Sequence, residues 1–278
     1  MEERPESNTE LRTADVFTAV NNYFLLFFCG SCMLSSMYLQ QLFLYMGHYR
    51  LGIGVSSLVA VILPVFLLLR RIGPGFARQV RLSAPRAPQV VYVLLATLAT
   101  VVIVDQIYLI NQQFSPVPQE YIESLKDLRP ADGWNFAIIF VGLCVMVPIA
   151  EELVFRGMIQ QIFSRNMGPV LGFLLTGLVF GAFHLNPHLL ISISFFGIFL
   201  SFIFYATGNL AHTIISHSLF NVVALLQLTF SGAAESADLP FYLKDVRVFV
   251  VSVVLLIFFL YKLKTGGPES EPPAKDQI

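Results

Sequence analysis

Charge is the first scarcity. Asp, Glu, Lys and Arg make up 13% of the 278 residues, about half of the ~25% usual in a water-soluble domain. A chain so poor in charge cannot cover a folded surface with hydrated groups. Its hydrophobic residues, 56% of the total, fall in long runs. Together these exclude an ordinary soluble domain and point to a polytopic membrane protein. A basic excess is also missing: the formal net charge is -1, so the bulk charge invites no nucleic-acid partner. Cysteine is limited to Cys29, Cys32 and Cys144, and no disulfide framework follows. The first two form a CxxC within the first apolar run, with no second pair elsewhere. Small residues packing in a membrane helix account for them better than a redox or metal site. The opening MEERPESNTELRTADVF lacks the basic start and short apolar core of a cleaved signal peptide, so the first apolar segment is expected to be a retained anchor.

What is present is a series of apolar windows near 20–46, 51–70, 88–110, 135–158, 168–186, 188–206, 209–230 and 246–263. A helix of about 20 apolar residues crosses a bilayer, so the expected fold class is all-α, a polytopic membrane helix bundle of about eight transmembrane helices. It forms a single domain over 20–263, after a polar cytoplasmic segment 1–19 and before a Gly/Pro-rich disordered tail 264–278. Only TGN separates two of the windows, which requires a tight turn. The loop RRIGPGFARQVRLSAPRAP carries Arg70, Arg71, Arg78, Arg81 and Arg86. Basic loops stay in the cytoplasm, and an even number of spans then places both termini there. Residues 111–134, with few basic groups, are expected as a loop on the far side. Short loops and the lack of organelle signals favour a bacterial cytoplasmic membrane.

Against this background the intramembrane polar residues form a short set: Asp105, Glu151, Glu152, Arg156, His184, His212, His217 and Asn221. Ionisable groups at that depth mark functional sites by default. Asp105 is read as reaching the interface near a helix end, and His212 is ambiguous. Glu152 and Arg156 are four residues apart and share a helix face, so they can pair. Glu151 points about 100° away and is the freer carboxylate. Pro148 removes a backbone hydrogen bond nearby, so the helix is expected to kink or open there. Glu151 lies fourteen positions before Arg165 and His184 sixteen after Gly168, about 21 and 24 Å from one turn at 1.5 Å per residue. Antiparallel neighbours would thus bring Glu151 and His184 to the same depth. His217 and Asn221 share a face of a third helix. A desolvated carboxylate with imidazoles and an amide suits activation of water and stabilisation of an oxyanion.

EELVFRG, FGAFH and HSLFN, ending at Gly157, His184 and Asn221, resemble the EExxxR, FxxxH and HxxxN motifs of the CPBP family, the CAAX protease and bacteriocin-processing (Abi) enzymes. The resemblance covers roughly residues 135 to 230. It implies an eight-helix intramembrane endopeptidase related to the type II CAAX prenyl protease. It further implies that Glu151 activates water, His184 partners it, His217 and Asn221 serve the oxyanion side, and Glu152 and Arg156 shape the site. The expected partners are the lipid bilayer and a membrane-bound or lipidated peptide or protein substrate. One departure stands out: relatives often carry a Trp and a Pro before the third motif, where this chain has Ala211 and Thr213. The cofactor stays open. Glu151, His184 and His217 could supply three ligands to one divalent metal such as zinc, but no HExxH is present to demand it. A proton-coupled carrier and a non-catalytic regulator of the same family are the rival readings.

Overall fold

Apolar runs with no water to satisfy their backbone must close their hydrogen bonds within the segment, so they fold as helices. A computed structural model of the chain describes residues 16–72, 75–126, 128–230 and 245–266, and among these no strand occurs. Among the described residues eight principal helices follow one another: α1 Asn22–Tyr45, α2 Tyr49–Ile72, α3 Ala87–Phe114, α4 Gly133–Met167, α5 Pro169–Phe183, α6 Leu190–Thr207, α7 Leu210–Phe230 and α8 Val246–Thr265. Seven are long and apolar enough to cross a membrane, so the chain is an integral multi-pass membrane protein.

The exception is α5, whose window was expected to continue to residue 186. It stops after 15 residues, about 22 Å of helix, because the Asn186–Pro187 pair cannot continue it. His184 sits just past its end, where its backbone N–H still bonds the Gly181 carbonyl at 3.2 Å. Helix α4, expected over 135–158, instead has 35 residues, roughly 52 Å. Its extra turns hold Gln160 and Gln161, which read as a polar boundary in the sequence. Both are buried, with Gln160 Nε2 bonding the Ser201 carbonyl at 2.8 Å and Gln161 Nε2 the Gln79 carbonyl at 3.0 Å. The far-side segment 111–134 is not all loop: α3 runs to Phe114 and a short helix spans Gln119–Lys126. Asp105 lies well within α3 and accepts from Gln227 Nε2 at 3.2 Å. Most of the anticipated N-terminal segment and C-terminal tail lies outside the described residues; α8 itself continues to Thr265.

The turns alternate between two ends of the bundle. At one end Leu210 N bonds the Arg81 carbonyl at 2.9 Å, Gln79 Nε2 bonds the Leu69 carbonyl at 2.9 Å, and the Arg165 guanidinium lies 4.6 Å over the Phe17 ring. At the other end Arg50 reaches Asn135 Oδ1 at 3.2 Å and the Arg129 carbonyl at 3.1 Å, while Ser115 Oγ meets His188 Nδ1 at 2.9 Å. The tight turn expected at TGN is made by Gly208 in the left-handed region, φ 61, which a residue with a Cβ enters only at a cost.

Helices α5 and α6 pack through glycine. A Cβ on Gly177 would overlap the Ile198 backbone, and one on Gly181 would overlap Ser194. Small residues let helices approach closely enough for dispersion to hold them in lipid. Gly177→Leu should therefore separate the pair and cost about 1–3 kcal/mol, seen as a lower unfolding midpoint in detergent. Leu178→Ala, on an exposed face, should leave the midpoint unchanged.

Candidate active site

The two glutamates lie in an α-helical stretch of α4, Val147–Val154, between two π-helical segments, Phe140–Met146 and Phe155–Ile159. The first segment follows from Pro148. Within it the Val147 N–H bonds the Gly142 carbonyl, five residues back. The next π-type bond would join the Leu143 carbonyl to residue 148, which as proline has no N–H. The Leu143 carbonyl instead accepts Asn221 Nδ2 at 2.8 Å. The opening expected at Pro148 is thus present, and the asparagine of HSLFN stitches α7 to α4 across it. One N–H of that amide is committed to this structural bond. Such π turns cluster where helices carry function.

Beside the stitch lies a buried charged assembly. Arg156 Nη1 donates to Glu152 Oε1 at 2.8 Å, both side chains fully buried, as their i,i+4 spacing anticipates. Arg156 Nη2 donates to the Gly197 carbonyl at 2.7 Å, and the guanidinium lies 4.7 Å over the Phe180 ring. His217 Nδ1 donates to Glu152 Oε1 at 2.8 Å. A histidine whose Nδ1–H is fixed on a carboxylate presents Nε2 in a set direction. Here Nε2 points to Glu151 Oε2, 3.8 Å away. The His217 ring is wedged edge-on against Phe180 and Phe196, with centroids at 5.9 and 5.4 Å. This pairing of Glu152 with His217 is one part of the site that the sequence does not reveal; helical spacing says nothing about which residue of another helix stands opposite.

His184 is fixed in the same manner from a different source: Nδ1 donates to the Phe180 carbonyl at 2.8 Å, which leaves Nε2 as an acceptor. Glu151, His184, His217 and Asn221, drawn from three motifs, all line one cavity of about 310 Å³. The matched depth of Glu151 and His184 is therefore realised. The sequence reading missed the rest of the wall, which comes from α1 and α2 through Met33, Met37, Tyr49 and Ile53. Asp105 and His212 do not line it; His212 is buried near the start of α7. Cys29 and Cys32 are buried free thiols, Cys29 Sγ resting 3.7 Å from Met158 Sδ, in line with the packing interpretation of the CxxC.

Glu151, His184 and His217 do not fit the zinc set. Among the described residues no three His, Cys, Asp or Glu side chains gather into a group able to hold a metal ion. What the arrangement can do is proton chemistry. A carboxylate at 16% side-chain exposure faces an imidazole whose orientation a buried carboxylate–guanidinium pair maintains. Groups held this way can take a proton from water and return it to a leaving amine.

Residues 133–223 match the family described as Type II CAAX prenyl endopeptidase Rce1-like. All three motifs and every residue of the charged assembly fall within that stretch. No curated protein and no solved structure matches the chain.

Proposed function

We propose that this membrane-embedded chain, which carries the Rce1-like family match over residues 133–223, is an intramembrane endopeptidase hydrolysing a peptide bond of a membrane-associated or lipidated peptide or protein. One observation carries the reading: Glu151 is a carboxylate without a basic partner at bonding distance, in a cavity that also holds His184 and His217. In this mechanism Glu151 takes the proton of a water that it shares with a histidine Nε2. The 3.8 Å from Glu151 Oε2 to His217 Nε2 exceeds a direct hydrogen bond and suits groups bridged by one water. The resulting hydroxide attacks the peptide carbonyl, and the oxyanion is met by the remaining amide N–H of Asn221. Glu151 then returns its proton to the departing amine. Glu152 and Arg156 position His217 and touch no substrate.

With the basic loop in the cytoplasm, both termini are cytoplasmic. The described ends support this topology in one respect: α1 begins and α8 ends at the same end of the bundle, as the Arg165–Phe17 contact and the 6.2 Å stacking of Tyr92 on Phe259 require. The test is quantitative membrane peptidomics on cells carrying the wild type or Glu151→Ala at equal abundance. New N- or C-termini found only with the wild type are expected. Equal peptidomes from two folded, abundant proteins would defeat the reading and favour a carrier or a regulator.

A further inference from the structure

The cavity and the basic loops lie at opposite ends of the bundle. Beyond the site itself, the cavity wall rises through Ser36, Met37 and Gln40 of α1, Ile53 and Tyr49 of α2, and Leu128 from the segment before α4. Tyr49 starts α2, Gln40 is near the end of α1, and Leu128 follows the Gln119–Lys126 helix; all belong to the end clasped by Arg50. No residue from the 75–86 loop, the Gly168 turn or the Gly208 turn lines it. Below the site the core is closed by the Arg156 assembly, Phe155 and the two buried glutamines. The short α5 contributes to the same asymmetry. It stops at Phe183, level with the site, and His184 at its end is exposed.

Among the described residues, Arg70, Arg71, Arg78, Arg81, Arg86, Arg165, Lys262 and Lys264 cluster at the closed end. Of the described Lys and Arg residues, only Arg50, Lys126, Arg129 and Arg247 are at the open end. Lys and Arg near span ends govern orientation, and acids contribute little, so the closed end is the cytoplasmic one.

We infer that the cavity opens on the non-cytoplasmic side of the membrane, so that the substrate is a peptide segment already exported or anchored in the outer leaflet, not a tail made and lipidated in the cytoplasm. The inference rests on the peptidase reading for what enters, but not for where the entrance lies. The walls suit such a segment: Met33 and Met37 supply adaptable apolar contact, and among the described residues no Lys or Arg lines the cavity. A chain terminus carrying a carboxylate would therefore meet Glu151 without a compensating cation.

The test labels single cysteines with a membrane-impermeant maleimide on intact cells expressing the full chain, either wild type or Glu151→Ala at the site. The native thiols are buried, and the unsubstituted protein sets the background. Met37→Cys, on the cavity wall, and Glu120→Cys, exposed at the open end, should label in intact cells. Arg78→Cys, exposed at the closed end, should label only after permeabilisation. Labelling of Met37→Cys only after permeabilisation, or not at all, overturns the inference. Because labelling does not require turnover, it is read in the Glu151→Ala protein as well, and a failed peptidase reading leaves its outcome intact.

Discussion

Glu151→Gln should abolish peptide-bond cleavage, with a loss of about 10²–10⁴-fold in rate, the usual contribution of a positioned general base. The amide keeps the size of the side chain and its place in the cavity, so the protein should unfold at the wild-type temperature. Substrate should still bind, because the walls that hold it come from other residues, and the loss should appear in kcat with KM little changed. His184→Ala should also lower kcat. Unfolding should again be untouched, since His184 is exposed beyond the end of α5 and its side chain bonds the Phe180 carbonyl of the same helix. A Glu151→Gln protein that retains cleavage would remove the carboxylate from the mechanism.

The largest effect on stability should come from Arg156→Leu. The change leaves Glu152 buried without its cation and removes the bond to the Gly197 carbonyl that ties α4 to α6. Breaking one partner of a buried pair costs about 3–5 kcal/mol, enough to lower the yield of folded protein in detergent and the unfolding midpoint together. Replacing both partners, Glu152→Leu with Arg156→Leu, should restore much of the midpoint, since no uncompensated charge then remains. Activity should not return with it. His217 would have lost the carboxylate that fixes Nδ1, and with it the direction of Nε2 toward Glu151. Stability that recovers without activity separates positioning from folding; recovery of both would make the pair purely structural.

How much of this was legible beforehand depended on distance along the chain. The Glu152–Arg156 pair follows from the pitch of one helix, and the meeting of Glu151 with His184 from two helices joined by a short turn. The Glu152–His217 bond crosses 65 positions, and no periodicity encodes the rotation of one helix against another. The π segments were half visible: Pro148 announced a break, but which carbonyl it would free, and that Asn221 would claim it, depended on the fold. Hydropathy misplaced the ends of α4 and α5 for opposite reasons. Gln160 and Gln161 look like water-facing residues yet find carbonyl partners inside, while apolar Leu185 continues the pattern past the true end of α5 in a left-handed conformation, φ 51. The walls from α1 and α2 had no motif to betray them.

Helix α4 also acts as a ruler. It outreaches the ~30 Å hydrocarbon layer, with Arg165 near its last turn and the glutamates a fixed number of turns away. Headgroups that hold the arginine end set the depth of the site from that surface, whatever the lipid. In a thicker bilayer the bundle cannot stretch, and with the arginine end held at its surface the added thickness falls over the entrance beside Tyr49 and Leu128. Vesicles of increasing acyl length should therefore move the cleaved bond deeper from the entrance surface while its distance from the arginine surface stays constant, so that membrane thickness itself selects which bond is cut.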